Sequence, residues 1–274
     1  MTPTSIFVRS NNIDLHLREW STTGTPLLLI HGITSSSQSW NNVAPYFVEE
    51  YRVIAVDLRG HGKSSKPNKG YNWENDYARD ISGLIEDHLE EPPIIIGHSL
   101  GASVAAAVAA NSPRLVKAII LEDPPAFVSD NLEALRERFA ATLDTKALPF
   151  EKKVKFFIDS ALQETLDGTR ITLETAEYKS KNLEDMADAV INELRKGGTT
   201  YKAESVFPRI SCPCLVMLGE PSLGGVVELK NRNRLKSILK TAKILELSTA
   251  GHGLHSDAEK DFIKSAKDFI ASLA

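Results

Sequence analysis

Apolar residues along the first half of the chain fall into short runs separated by longer amphipathic stretches. Ile6–Arg9 and Ile13–Trp20 read as two strands joined by an Asn11-Asn12 turn, a hairpin signal. Leu27–Ile30 is a continuous apolar run of the kind a strand buried on both faces shows, and the polar loop Gly32–Ser39 follows it. The pattern then predicts a helix over about Trp40–Glu49, a strand at Arg52–Val56, a helix over Asn75–Leu89 and a strand at Pro93–Ile96. A helix over Ser99–Asn111 and a strand at Val116–Leu121 complete this half. Strands alternating with helices predict an α/β fold: a mostly parallel sheet with helices on both faces.

The rhythm breaks after residue 125. From about Phe127 to Pro208 the patterns are helical, at Leu132–Leu143, Phe150–Leu162 and Thr172–Arg195. An insertion of about 80 residues is far longer than an ordinary connection. Alternation resumes with a strand at Cys214–Leu218, a helix over Val227–Leu239, a strand at Lys243–Leu247 and a closing helix over Asp257–Leu273. The expected division is a core of residues 1–125 and 209–274 with a helical cap at 126–208. An insertion entered and left at neighbouring strands should sit over the carboxyl edge of the sheet, where ligands bind in such folds.

Composition narrows the function classes. The 274 residues carry 32 Lys and Arg against 36 Asp and Glu, a formal net charge of −4, which gives no reason to expect nucleic acid or an anionic membrane as partner. The start of the chain has no basic stretch followed by an apolar run, and no run approaches the roughly 20 residues of a bilayer span. A cytoplasmic protein acting on a small molecule is expected, its oligomeric state open. Cys212 and Cys214 lie two apart in a strand pattern, too close for a strain-free bridge, and read as free thiols. The basic run Lys230, Arg232, Arg234, Lys236, Lys240 and Lys243 reads as a solvated helix face.

The chemistry-bearing motif is Gly97-His98-Ser99-Leu100-Gly101, set between the run Ile94–Ile96 and an Ala-rich helix. That strand, sharp turn and helix are the context a G-x-S-x-G nucleophile elbow requires, with glycines where the turn leaves no room for side chains. A serine hydroxyl needs a base, and Gly251-His252-Gly253 offers one in a short loop at the carboxyl end of a strand. His61 and His98 lie in glycine turns and read as positional, while His16 and His88 read as surface residues.

With these residues in place, the chain resembles the α/β-hydrolase superfamily. The resemblance rests on His31-Gly32-Ile33, on Asp57-Leu58-Arg59-Gly60-His61-Gly62-Lys63-Ser64, on the Ser99 elbow and on Gly251-His252, in that order over nearly the whole chain. It implies an eight-stranded core with a helical cap, Ser99 as nucleophile, His252 as base and an oxyanion hole from the backbone N–H groups of Ile33 and Leu100. The family's acid usually follows the seventh strand as G-x-x-D, but here that place reads Gly219-Glu220-Pro221-Ser222. Asp123 at the end of the sixth strand is the favoured substitute, as in the branches that place the acid there, with Glu220 and Glu122 as alternatives. Alternation sends Glu122 and Asp123 in opposite directions, so only one of them can reach His252.

A serine nucleophile implies an acyl-enzyme rather than the aspartyl ester of haloalkane dehalogenases and epoxide hydrolases. The expected activity is hydrolysis of a small carboxylic ester or lactone, an esterase without metal or organic cofactor. Amide or carbon–carbon bond hydrolysis is the enzymatic alternative. The loop His31–Ser36 lacks the extra glycines of the meta-cleavage type, which counts against the carbon–carbon reading. A ligand-binding, receptor-like protein with little turnover is the alternative from another class. Phe127, just after Asp123, is the expected pocket residue.

Overall fold

The computed structural model describes residues 2–127, 130, 132–164, 171–195 and 202–273. Its centre is an eight-stranded sheet in the order β1-β2-β4-β3-β5-β6-β7-β8. The strands are β1 (Thr4–Ser10), β2 (Ile13–Glu19), β3 (Thr25–Ile30), β4 (Tyr51–Val56), β5 (Ile94–His98), β6 (Ala118–Glu122), β7 (Cys214–Gly219) and β8 (Lys243–Leu247). The β1–β2 hairpin and the β2–β4 pair are antiparallel, and every other pairing is parallel.

Period-two alternation in the central strands divides the core between two faces. Leu28, Ile30 and Ile95 point to one face and pack with α1 (Ala78–His88) and α2 (Leu100–Asn111). Leu27, Leu29, Ile94 and Ile96 point to the other and pack with Trp40, Phe47 and α10 (Glu259–Ala271). Both faces of these strands are therefore dry, which is why their sequence is apolar without alternation.

The described residues between β6 and β7 form the helices α3 (Leu132–Lys146), α4 (Phe150–Glu164), α5 (Leu173–Asp185), α6 (Asp188–Arg195) and the short α7 (Ala203–Val206). Later in the chain come α8 (Leu229–Ile238) and a single turn, α9 (Leu254–Asp257), before α10. No helix among the described residues is long and apolar enough to cross a membrane.

Three departures from the sequence pattern have physical causes. The stretch expected to be one helix at 40–49 forms two 3₁₀ turns, Ser37–Trp40 and Ala44–Tyr46. Pro45 has no N–H to bond four residues back, so an α-helix cannot run through it. The helix expected over 172–195 is broken at Met186, which is extended with ψ 136°, while the Ala187 N–H is drawn to the Gly60 carbonyl at 2.7 Å. Within the basic run, Arg232 is buried, donating to the Gly219 carbonyl at 2.9 Å and to Glu246. Arg234 pairs with Asp130 and Glu204, so the face is largely ion-paired.

Helix α2 is apolar all round and buried from Leu100 to Ala109, seated directly on the sheet. A Cβ at Gly101 would lie 2.2 Å from the Ile30 carbonyl oxygen, and one at Gly97 would lie 2.3 Å from that of Gly101. Gly101→Ala must therefore push α2 off β3, and it is expected to destabilise the fold by about 1–3 kcal/mol, read from the urea midpoint.

Candidate active site

The site is assembled at the carboxyl ends of β5, β6 and β8. Ser99 follows β5 directly, with φ 53° and ψ −114°, a left-handed conformation that a non-glycine residue adopts only when its surroundings enforce it. Three backbone bonds do so: the Ser99 N–H donates to the Glu122 carbonyl at 2.9 Å, and its own carbonyl accepts from Ala102 at 3.0 Å and Ser103 at 3.1 Å. Asp123, after β6, also has positive φ, 40°, and its N–H donates to the Met217 carbonyl of β7 at 2.8 Å.

The His252 ring bridges these two residues. Ser99 Oγ lies 2.9 Å from His252 Nε2, and His252 Nδ1 lies 2.7 Å from Asp123 Oδ2. The hydrogen-bond pattern fits a neutral imidazole carrying its proton on Nδ1, leaving Nε2 to accept from the serine hydroxyl. Asp123 is fully buried and is further held by the N–H groups of Val226 at 2.9 Å and Gly219 at 3.4 Å. These contacts fix the direction in which the carboxylate faces His252.

The other candidate acids go elsewhere. Glu220 turns into its own loop, where Oε1 accepts from the Ser222 N–H at 3.3 Å and hydroxyl at 3.2 Å. Glu122 points to the opposite side of β6 from Asp123 and binds His255, with Oε1 2.8 Å from His255 Nδ1. Phe127 is half-buried under the Arg234 guanidinium at 4.3 Å and lines a cavity of about 390 Å³ with Pro125, Arg138 and Val226.

The loop after β3 lies against Ser99. A Cβ on Gly32 would stand 3.3 Å from Ser99 Cβ, so this loop passes close beside Ser99 and the start of α2 at Leu100. The first N–H groups of a helix have no intrahelical acceptor and are free to meet a developing anion. His61 Nε2 lies 2.6 Å from the Ile33 carbonyl and fixes that peptide. Burial keeps the His31 imidazole neutral, its pKa below the ordinary value; Nδ1 donates to the Gly32 carbonyl at 2.7 Å and Nε2 accepts from Leu58 N–H at 3.0 Å.

Sequence reasoning missed the role of His16. It is buried, with Nδ1 2.8 Å from Asp57 Oδ2 and Nε2 2.6 Å from Ser5 Oγ. Asp57 also accepts from the N–H groups of Ser37 at 2.7 Å and Lys63 at 2.9 Å, tying the loop after β3 to the loop after β4. Alternation carried no signal, since it sends His16 to the face opposite Leu15 and Leu17, and its partner Asp57 sits 41 residues away in sequence. Among the described residues, no group of three or more His, Cys, Asp or Glu side chains is placed to hold a metal ion.

Residues 25–259 match the model of the alpha/beta hydrolase fold family. The chain belongs to that family. It is 29% identical over 262 residues to 2-(acetamidomethylene)succinate hydrolase of Mesorhizobium japonicum, covering 94% of this chain and 92% of that protein. It is 25% identical over 269 residues to the sn-1-specific diacylglycerol lipase ABHD11 of Danio rerio, covering 90% and 78%. The crystal structure of E-2-(acetamidomethylene)succinate hydrolase superposes with a TM-score of 0.83 at 25% identity, covering 98% of this chain and 99% of that one. Family membership and these relatives support hydrolase activity in general. In this α/β hydrolase the Gly60–Ser64 turn is a structural junction between β4 and the loop after β3, held by Asp57.

Burial acts to raise the Asp57 pKa, but the hydrogen bonds from His16 and from the backbone N–H groups of Lys63 and Ser37 outweigh it and hold the carboxyl well below the usual range. A depressed folded-state pKa contributes stability that is present above the unfolded value, about 3.9, and is lost as pH falls through the folded one. Asp57→Asn is therefore expected to cost about 2 kcal/mol or more at pH 7, with the gap to wild type narrowing below about pH 4 in urea titrations.

Proposed function

We propose that the protein is a serine hydrolase of small carboxylic esters or lactones that works through an acyl-enzyme on Ser99. The observation that carries this reading is the unbroken hydrogen-bond chain from Ser99 Oγ to His252 (2.9 Å) and from His252 to Asp123 (2.7 Å). His252 Nε2 takes the Ser99 proton as Oγ attacks the substrate carbonyl carbon, and the carbonyl π electrons move to oxygen. The N–H groups of Ile33 and Leu100 meet that oxyanion, an effect worth roughly 10²–10³ in rate per donor in serine hydrolases. The tetrahedral intermediate collapses, and the imidazolium, steadied by Asp123, gives its proton to the departing alkoxide. Water then attacks the acyl group with His252 as base, releasing the carboxylic acid and restoring Ser99.

An amide substrate is the second reading. The Mesorhizobium relative, similar over nearly its whole length, is named for a substrate bearing an acetamido group. The same groups serve that reaction, with His252 protonating an amine instead of an alkoxide.

Residues 126–208 are proposed as a cap over the site. Tyr178 on α5 meets Ser35 of the loop after Ile33, hydroxyl to hydroxyl at 3.0 Å, and α6 is docked through Ala187 on Gly60. Substrate would then enter beside α5, which sets the size and polarity of what is accepted.

A panel of p-nitrophenyl esters, lactones and N-acetyl amides tests the reading. Ser99→Ala should abolish turnover and the burst of nitrophenolate, Asp123→Asn should lower kcat about 10⁴-fold, and Glu220→Gln should stay within about threefold of wild type. Undiminished turnover in Ser99→Ala would overturn it.

A further inference from the structure

The end of β6 carries two adjacent carboxylates, and each takes one histidine of the loop after β8. Asp123 takes His252; Glu122, wholly buried, takes His255, three residues further on. Glu122 grips both the backbone and the ring of His255: Oε1 accepts from the His255 N–H and from Nδ1, each at 2.8 Å, and Oε2 lies 2.9 Å from Nδ1. The His255 ring stacks on Trp40, centroids 4.6 Å apart and planes at 28°, with Phe262 and His98 edge-on. The same loop is tied at two further points. His98 Nε2 donates to the His252 carbonyl at 2.9 Å, and Asp257 Oδ2 accepts from the Gly251 N–H at 3.0 Å.

We propose that Glu122 and His255 are a positioning pair, which, as an ion pair, holds the loop so that His252 stays aligned with Ser99. This rests on the serine-hydrolase reading above. The groups facing His255 are Glu122 from β6, His98 from β5 and Asp257 from α9, with Trp40 and Phe262 supplying rings. Burial pushes His98 down to about 3, so it is neutral and adds no charge. Burial also acts to lower the His255 pKa, but the Glu122 carboxylate outweighs it and holds His255 above the ordinary histidine value. Glu122, which burial alone would raise, is held below the ordinary range mainly by the charge on His255. Each partner thus favours the other's charged form, and the ion pair dissolves as pH rises through the His255 value. Neither residue touches the reacting atoms. The Glu122 carbonyl meets the Ser99 N–H whatever its side chain does, and the side-chain pair acts on Ser99 through the direction of the His252 ring.

Glu122→Gln keeps the shape and can still accept from the His255 N–H, but removes the charge. It is expected to lower kcat for a p-nitrophenyl ester about 10- to 100-fold with KM within about twofold, because small misplacements of a catalytic base cost on that order. The alkaline limb of kcat/KM should also move to lower pH, since the buried imidazolium has lost its counter-ion. In the wild-type protein, ¹⁵N-histidine NMR should show His255 losing its proton at the pH of that same limb. Wild-type kcat with an unshifted limb in folded Glu122→Gln would overturn the proposal. So would titration of His255 in the wild type with kcat/KM unchanged, and this measurement decides the question if the variant does not fold. A Ser99→Ala control separates the two readings: turnover surviving there overturns the serine mechanism, whereas turnover lost there but unaffected in Glu122→Gln overturns the positioning pair alone.

Discussion

The parallel register of β5, β6 and β7 is the constraint on which the site depends. His98 pairs with Glu122 and Glu122 with Met217, so the residues that follow β5 and β6 leave the sheet side by side. Ser99 and Asp123 need no long excursion to share one histidine. A slip of a single residue would turn every side chain at that edge to the other face and part the two. The register is secured by burial on both faces, because Ile94, Ile95 and Ile96 and their partners Ala118, Ile119 and Ile120 are all sealed from solvent. The apolar core thus fixes a polar geometry it does not touch.

Strain is concentrated where that geometry is needed. Ser99 and Asp123 both sit at positive φ, and both backbones are held by bonds to a neighbouring strand. Each such residue costs on the order of 1–3 kcal/mol, which the buried sheet around it must absorb. The gain is that hydroxyl and carboxylate project from the sheet edge in fixed directions before any substrate arrives. Preorganised groups need no reorganisation when charge develops.

Much of this was legible in the sequence. The strands showed because burial on both faces removes polar residues from them, as at Leu27–Ile30 and Ile94–Ile96. The elbow showed because Gly97 and Gly101 answer a contact between backbones that no side chain survives. The acid was harder to read: Glu122, Asp123 and Glu220 are all carboxylates at strand ends, and only the phase of β6 and the path of the loop after β7 tell which one faces His252. His16 could not be found from its neighbours, since its burial depends on Asp57 across the sheet edge. The 3₁₀ turns at 37–46 were hidden by an apolar spacing that suits a helix until Pro45 removes a donor.

Strands β6 and β7 are parallel neighbours, so the chain between them leaves at the carboxyl end of β6 and has to run back to the amino end of β7 before it re-enters the sheet. The sheet fixes the separation of that segment's two ends, and the entropy of closing it changes slowly with length, by only about 0.6 kcal/mol for each doubling. Helices can be lengthened, exchanged or lost there with little penalty to the sheet below. A scaffold of this kind allows the inserted helices to diversify faster than the sheet edge that carries Ser99 and Asp123.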